Sequence, residues 1–92
     1  MSLPFEWDPR KARENLVKHG GSFGEASSMF GDPLSITIHD PDHSETENRL
    51  ITLGVSSKAR LLIVVHSQRD IRLRLISARK ASRMEKKQYE ES

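Results

Sequence analysis

At 92 residues the chain has room for one modest core, and a single domain over residues 1–92 is expected. With no cysteine it holds neither a disulfide framework nor a thiolate metal site, and its longest apolar stretch, residues 61–65, is strand-sized rather than membrane-sized. The formal net charge of +2 hides an asymmetry: residues 58–87 carry ten Lys or Arg against two acids, whereas residues 31–57 carry five acids against Arg49 alone. A basic C-terminal third on a nearly neutral protein favours a polyanion at one surface. The start, Met1 to Glu6, lacks the basic-then-apolar pattern of a secretory signal, so the cytoplasm is the expected compartment.

In chain order, Asp8-Pro9 marks a helix start, with Asp8 as cap and Pro9 in the first turn, where its missing N–H costs nothing. That helix is expected to run to about residue 18 and stop at Gly20-Gly21. Ser22-Phe23-Gly24-Glu25 has the spacing of a capping box and starts a short second helix, which Gly31-Asp32-Pro33 breaks. Residues 34–38 alternate with period two, which predicts a strand burying Leu34, Ile36 and Ile38. A polar loop over residues 39–46 precedes a strand over 49–55. Residues 61–67 are apolar on both faces and read as the central strand. Gln68-Arg69-Asp70 turns into a strand over 71–77, and Ser77 is placed to cap a last helix over 78–90. Phe5 and Trp7 suit a further short edge strand. The fold class is α+β: two N-terminal helices, a four-stranded mainly antiparallel sheet and a C-terminal helix.

The stretch Ile71-Arg72-Leu73-Arg74-Leu75 alternates apolar and arginine residues, so Arg72 and Arg74 share one strand face and Ile71, Leu73 and Leu75 the other. Guanidinium forks match phosphate oxygens and keep their charge at any physiological pH. Arg79, expected just beyond in the first helical turn, completes a phosphate clamp with Arg74. The competing reading is a structural ion pair with Glu47 or Glu85. Lys80 and Arg83 extend the basic surface.

Were a bound nucleic acid also a substrate, breaking its phosphodiester without a metal would need cations at the phosphate, a base for the attacking hydroxyl and an acid for the leaving oxygen. Glu47 and Arg49 lie two apart near a strand start and can share a face, with Glu47 a candidate base or simply an anchor for an arginine. His19 sits at a helix C-terminus, where it can exchange protons or cap the last carbonyls. Tyr89 is a candidate acid or base-stacking ring, or a core aromatic. His66 reads as a packing histidine. Lys11 and Lys18, seven apart on the first helix, share a side and extend the groove or merely meet solvent. His39-Asp40-Pro41-Asp42-His43-Ser44-Glu45 clusters donors but meets no recognised metal spacing, so no metal site and no cofactor are expected.

Taken together, Phe5-Glu6-Trp7-Asp8, Lys11, Asn15, Lys18-His19-Gly20, Phe23, Glu25-Ala26, Phe30 and Asp32-Pro33 resemble the N-terminal half of the BrnT toxin family. Glu47-Asn48-Arg49, Gly54, Leu62 to His66, Arg74-Leu75-Ile76-Ser77-Ala78-Arg79, Ala81, Glu85 and Tyr89 resemble its C-terminal half. The chain departs from the family pattern at Gly21 and Gly24, where bulkier or charged residues are usual, and at Leu50, where an aromatic is common. The resemblance implies a RelE-like fold and a ribonuclease toxin of a type II toxin–antitoxin pair that stops translation. It implies neutralisation by a BrnA-like, ribbon-helix-helix antitoxin, through which alone operator DNA is contacted. It also implies a two-toxin, two-antitoxin complex. The alternative is a non-catalytic nucleic-acid or protein-binding module acting as a co-repressor, its arginines serving as positioning charges.

Overall fold

A computed structural model describes residues 4–40 and 48–92, which leaves Glu47 and most of the expected 39–46 loop outside the described residues. Along the chain run β1 (Phe5–Glu6), α1 (Pro9–His19), α2 (Phe23–Ser28), a 3-10 turn (Met29–Gly31), β2 (Ile36–His39), β3 (Arg49–Val55), β4 (Leu61–Arg69), β5 (Arg72–Lys80) and α3 (Arg83–Glu91). The sheet has five strands in the order β1-β5-β4-β3-β2. The expected antiparallel run of four is present, with β4 central, and β1 adds a parallel edge to β5.

Local signals place the first helices. Asp8 accepts from the Arg10 N–H and Pro9 opens α1, while Gly20, at φ +73°, donates its N–H to the Leu16 carbonyl and ends the helix. At α2 only half of the expected box forms: Ser22 Oγ accepts from the Glu25 N–H. The Glu25 carboxylate instead turns inward, taking hydrogen bonds from Ser56 Oγ at 2.7 Å and Arg60 Nε at 2.8 Å, with a second Arg60 nitrogen on its other oxygen.

Three expectations need correction. β5 continues through Ser77 to Lys80, so Arg79 is a strand residue and α3 starts at Arg83. The true cap is Ser82: its hydroxyl accepts from the Glu85 N–H while the Glu85 carboxylate accepts from the Ser82 N–H, a complete capping box. Leu34 precedes β2 and is largely exposed, and Ile38 is 56% exposed, because this face of β2 has no helix over it. The hairpin turn is Asp70-Ile71, with Asp70 at φ +53°, rather than Gln68-Arg69-Asp70, because β4 runs on to Arg69; Ile71 is therefore exposed rather than with Leu73 and Leu75.

One face of the sheet holds the core. Phe23, Ala26 and Met29 pack on Leu62, Val64, Leu73, Leu75 and Ala78, with Phe5, Ala12 and Phe30 at the margin. Fully burying a side chain such as Phe23 contributes about 2–3 kcal/mol. The chain after α2 lies so close on β3 that a Cβ at Gly54 would stand 3.1 Å from both Met29 Cε and Ser35 Cβ, so any larger residue there makes these neighbours give by a few tenths of an ångström.

His66 faces this core. Its Nε2 is 2.7 Å from Thr52 Oγ1, which is 2.8 Å from Thr37 Oγ1; the Phe30 ring meets it edge-on, and Nδ1 has no hydrogen-bond partner among the described residues. Burial pulls its pKa down from 6.5 to about 4. Glu25 and Glu85 are held near 2, mainly by hydrogen bonds from Arg60 and Arg79 respectively, against the opposing effect of burial. Between pH 6.5 and 4 the unfolded chain binds a proton at His66 that the folded chain refuses, so stability is lost as pH drops through that window and regained as pH rises, by up to about 3 kcal/mol. The Glu25 and Glu85 contributions are present above pH 4.5 and are lost as pH falls from there toward 2. Urea midpoints measured against pH should show both limbs, and His66→Phe should flatten the upper one.

Candidate active site

The side chains of β5 owe their placement to one irregularity. Val65 pairs with Ser77 and His66 with Leu75, so Ile76 is an extra residue, a β-bulge. Strict alternation would put Arg79 on the face opposite Arg74. The bulge resets the count, and Arg72, Arg74, Ser77 and Arg79 all fall on the face that α1 and α2 leave uncovered.

Register neighbours of one pleat share a face, so this open face resolves into rows across the strands. Nearest the β4–β5 turn, Arg69 lies opposite Arg72. The next row runs Glu6, Arg74, Ser67, Arg49 across β1, β5, β4 and β3. Then come Ser77, Val65, Ile51 and Ile38, and after them Arg79, Ile63, Leu53 and Ile36. The last two rows, walled by Glu85 and Gln88 of α3, line a groove of about 470 Å³. The open face is therefore cationic at one end and aliphatic in its middle.

The two arginines expected to form a clamp share the face but not a pocket. Their strand partners, Ser67 and Ile63, are four residues apart on β4, about 13 Å. Each guanidinium is also drawn to its own carboxylate. Arg79 makes a two-pronged pair with Glu85, both contacts at 2.8 Å. Arg74 reaches Glu6 through a single contact, Nη1 to Oε2, at 3.3 Å. The first geometry locks α3 to β5; the second joins one nitrogen to one oxygen and is a looser hold.

The other sequence candidates scatter. Arg49 joins the Arg74 row, and Arg72 is exposed at the turn end of the same face. Lys11, Lys18 and His19 do come together, in a shallow depression beside Ile76 and Ser77 at the bulge. Lys80 lies on the other pleat face, at the end of β5, and Arg83 opens α3, away from the arginine rows. Tyr89 donates its hydroxyl to Asp32 Oδ2 at 2.6 Å, and that contact raises its pKa and lowers the pKa of Asp32. Asp32 also accepts from the Leu34 and Val55 N–H groups, so Tyr89 fastens α3 to the loop before β2.

Two residues that sequence reasoning passed over belong to the arginine row. Glu6 is brought there by two residues of parallel pairing: the short edge strand expected around Phe5 and Trp7 is present as Phe5–Glu6, but nothing local showed that it would pair with β5. Ser67 is 3% exposed and its Oγ has no hydrogen-bond partner among the described residues. The one available signal was its position at the end of an otherwise apolar strand.

A third overlooked residue is Asn15, buried in mid-helix. Its amide donates to the Ala78 carbonyl at 2.8 Å and accepts from the Ala78 N–H at 3.0 Å, standing in for a neighbouring strand where β1 has already ended.

A crystal structure of the Brucella abortus ribonuclease toxin BrnT superimposes on this fold with a TM-score of 0.69, covering 89% of this chain and all of that one, at 21% identity. No curated protein matches the chain in sequence. The family profile described as ribonuclease toxin, BrnT, of type II toxin–antitoxin system matches residues 7–85. With that match spanning most of its length, the chain belongs to the BrnT family of ribonuclease toxins from type II toxin–antitoxin systems.

Proposed function

We propose that this protein is an endoribonuclease toxin that cleaves RNA without a metal ion, halts translation in the cytoplasm, and is held inactive by a BrnA-like, ribbon-helix-helix antitoxin. The observation that carries the reading is the gathering of Arg49, Arg69, Arg72 and Arg74 on an uncovered sheet face, beside a carboxylate. Guanidinium groups there supply what a phosphorane needs: fixed positive charge and forked donors at the non-bridging oxygens. The shallow depression with Lys11, Lys18 and His19 adds cations for the RNA strand on the neighbouring side. The aliphatic groove offers phosphate nothing, and its apolar floor suits the antitoxin as a protein partner. Operator DNA is then reached through the antitoxin.

Purified toxin, freed of antitoxin, should degrade RNA in excess EDTA at the same rate as without it. Activity that appears only with an added divalent cation would overturn the metal-free mechanism. No RNA cleavage under any condition would favour the co-repressor alternative.

A further inference from the structure

We infer that Glu6 is the general base of the reaction and that the scissile phosphate lies over the cross-strand row Glu6–Arg74–Ser67–Arg49, rather than at the Arg79 corner. The inference rests on the ribonuclease reading and names the site within it. Four strands contribute one side chain each to this row, in the order carboxylate, guanidinium, hydroxyl, guanidinium. The side chains of Glu6 and Arg74 on this face are each 27% exposed.

Three features separate this row from an ordinary ion pair. The Glu6–Arg74 contact is single and long at 3.3 Å, so the guanidinium can turn to a phosphate without breaking a two-pronged lock. Arg79, by contrast, is committed to Glu85, which also caps α3. The buried Ser67 hydroxyl makes no hydrogen bond among the described residues. Buried polar groups are normally satisfied, and an orphan between two arginine positions fits a site that awaits an anion.

The step is an in-line transfer. One Glu6 carboxylate oxygen takes the proton of the ribose 2′-hydroxyl as O2′ bonds to phosphorus. The P–O5′ bond breaks, the leaving O5′ takes a proton from water, and the hydroxide so formed takes the proton from Glu6, which restores the carboxylate. The products are a 2′,3′-cyclic phosphate and a 5′-hydroxyl. Arg74 and Arg49 hold the non-bridging oxygens, and the Ser67 hydroxyl donates to one of those oxygens. No electron or further reactant is required.

The test uses full-length toxin and a short RNA oligonucleotide in EDTA, with kcat and KM measured separately. Glu6→Gln should lower kcat by about 10²–10³-fold with KM within threefold. Glu6→Asp, which keeps the carboxylate, should recover part of the loss and controls for folding. Ser67→Ala should cost about tenfold, and an oligonucleotide with a 2′-deoxy sugar at the cut site should resist cleavage. A Glu6→Gln protein within threefold of wild type, or a loss confined to KM, overturns Glu6 as base while leaving the ribonuclease reading standing. A 5′-phosphate product overturns the step itself. Failure of the wild-type protein to cleave any RNA overturns the ribonuclease reading, and this inference with it.

Discussion

Arg74→Ala is expected to reduce kcat/KM for RNA cleavage by about a hundredfold or more, and to abolish growth arrest on expression, with little change in the urea midpoint. A preorganised donor aimed at charge that develops in the transition state accounts for roughly 10²–10³ in rate. The stability cost is small because the Glu6–Arg74 pair is single, long and partly solvated. Arg79→Ala should behave in the opposite way. Its guanidinium already spends both prongs on Glu85, so cleavage should stay within a few-fold of wild type while α3 loosens from the sheet. Measuring initial rates and unfolding midpoints for the two variants together decides the matter. If Arg79→Ala costs as much activity as Arg74→Ala, the catalytic centre extends to the helix corner.

Asn15→Ala should be as damaging to stability as truncating a large core side chain. It removes no large apolar surface, yet it strands both the N–H and the carbonyl of Ala78 at a buried site and takes away a third contact, to the Gly21 carbonyl at 3.1 Å. Buried groups left without partners cost about 1–3 kcal/mol each, so a total near 2–4 kcal/mol is expected. For a domain of this size that lowers Tm by on the order of 10–20 °C. Asn15→Asp should fare no better, because a carboxylate cannot donate to the Ala78 carbonyl. Thermal unfolding followed by circular dichroism gives the answer directly. A drop of only a degree or two would mean that water replaces the amide.

The sequence displayed some of this architecture openly and hid the rest for identifiable reasons. Asp8-Pro9 and Gly20 bracket α1 because capping chemistry is local, and the run over residues 61–67 reads as central because both its faces are apolar. The alternation of arginine and leucine around Arg74 correctly puts Arg72 and Arg74 on one side. It fails at Ile76, since a bulge depends on pairing with β4 and leaves no local mark. The start of α3 was set too early because Ser77 and Ser82 are both competent caps. Only Ser82 has a glutamate three residues on, and the longer strand won. Ile38 looked buried because alternation reports a two-sided strand without saying which side a helix will cover. Glu6 and Ser67 became visible as partners of the arginines only once the strand order was known. Asn15 carried a faint signal, as a poor helix former in mid-helix whose side chain tends to seek backbone groups.

The supernumerary Ile76 has a further consequence. Excising that one residue would turn residues 77–80 over, aim Arg79 into the packed layer beneath the sheet, and launch the last helix from the wrong side. The spacing between the two arginines is thus a ruler, and its length matters more than the identity of what fills it. Substitutions at Ile76 should be tolerated where a deletion is ruinous. An inserted residue at the same point should do comparable harm, by rotating the terminal helix away from Asp32.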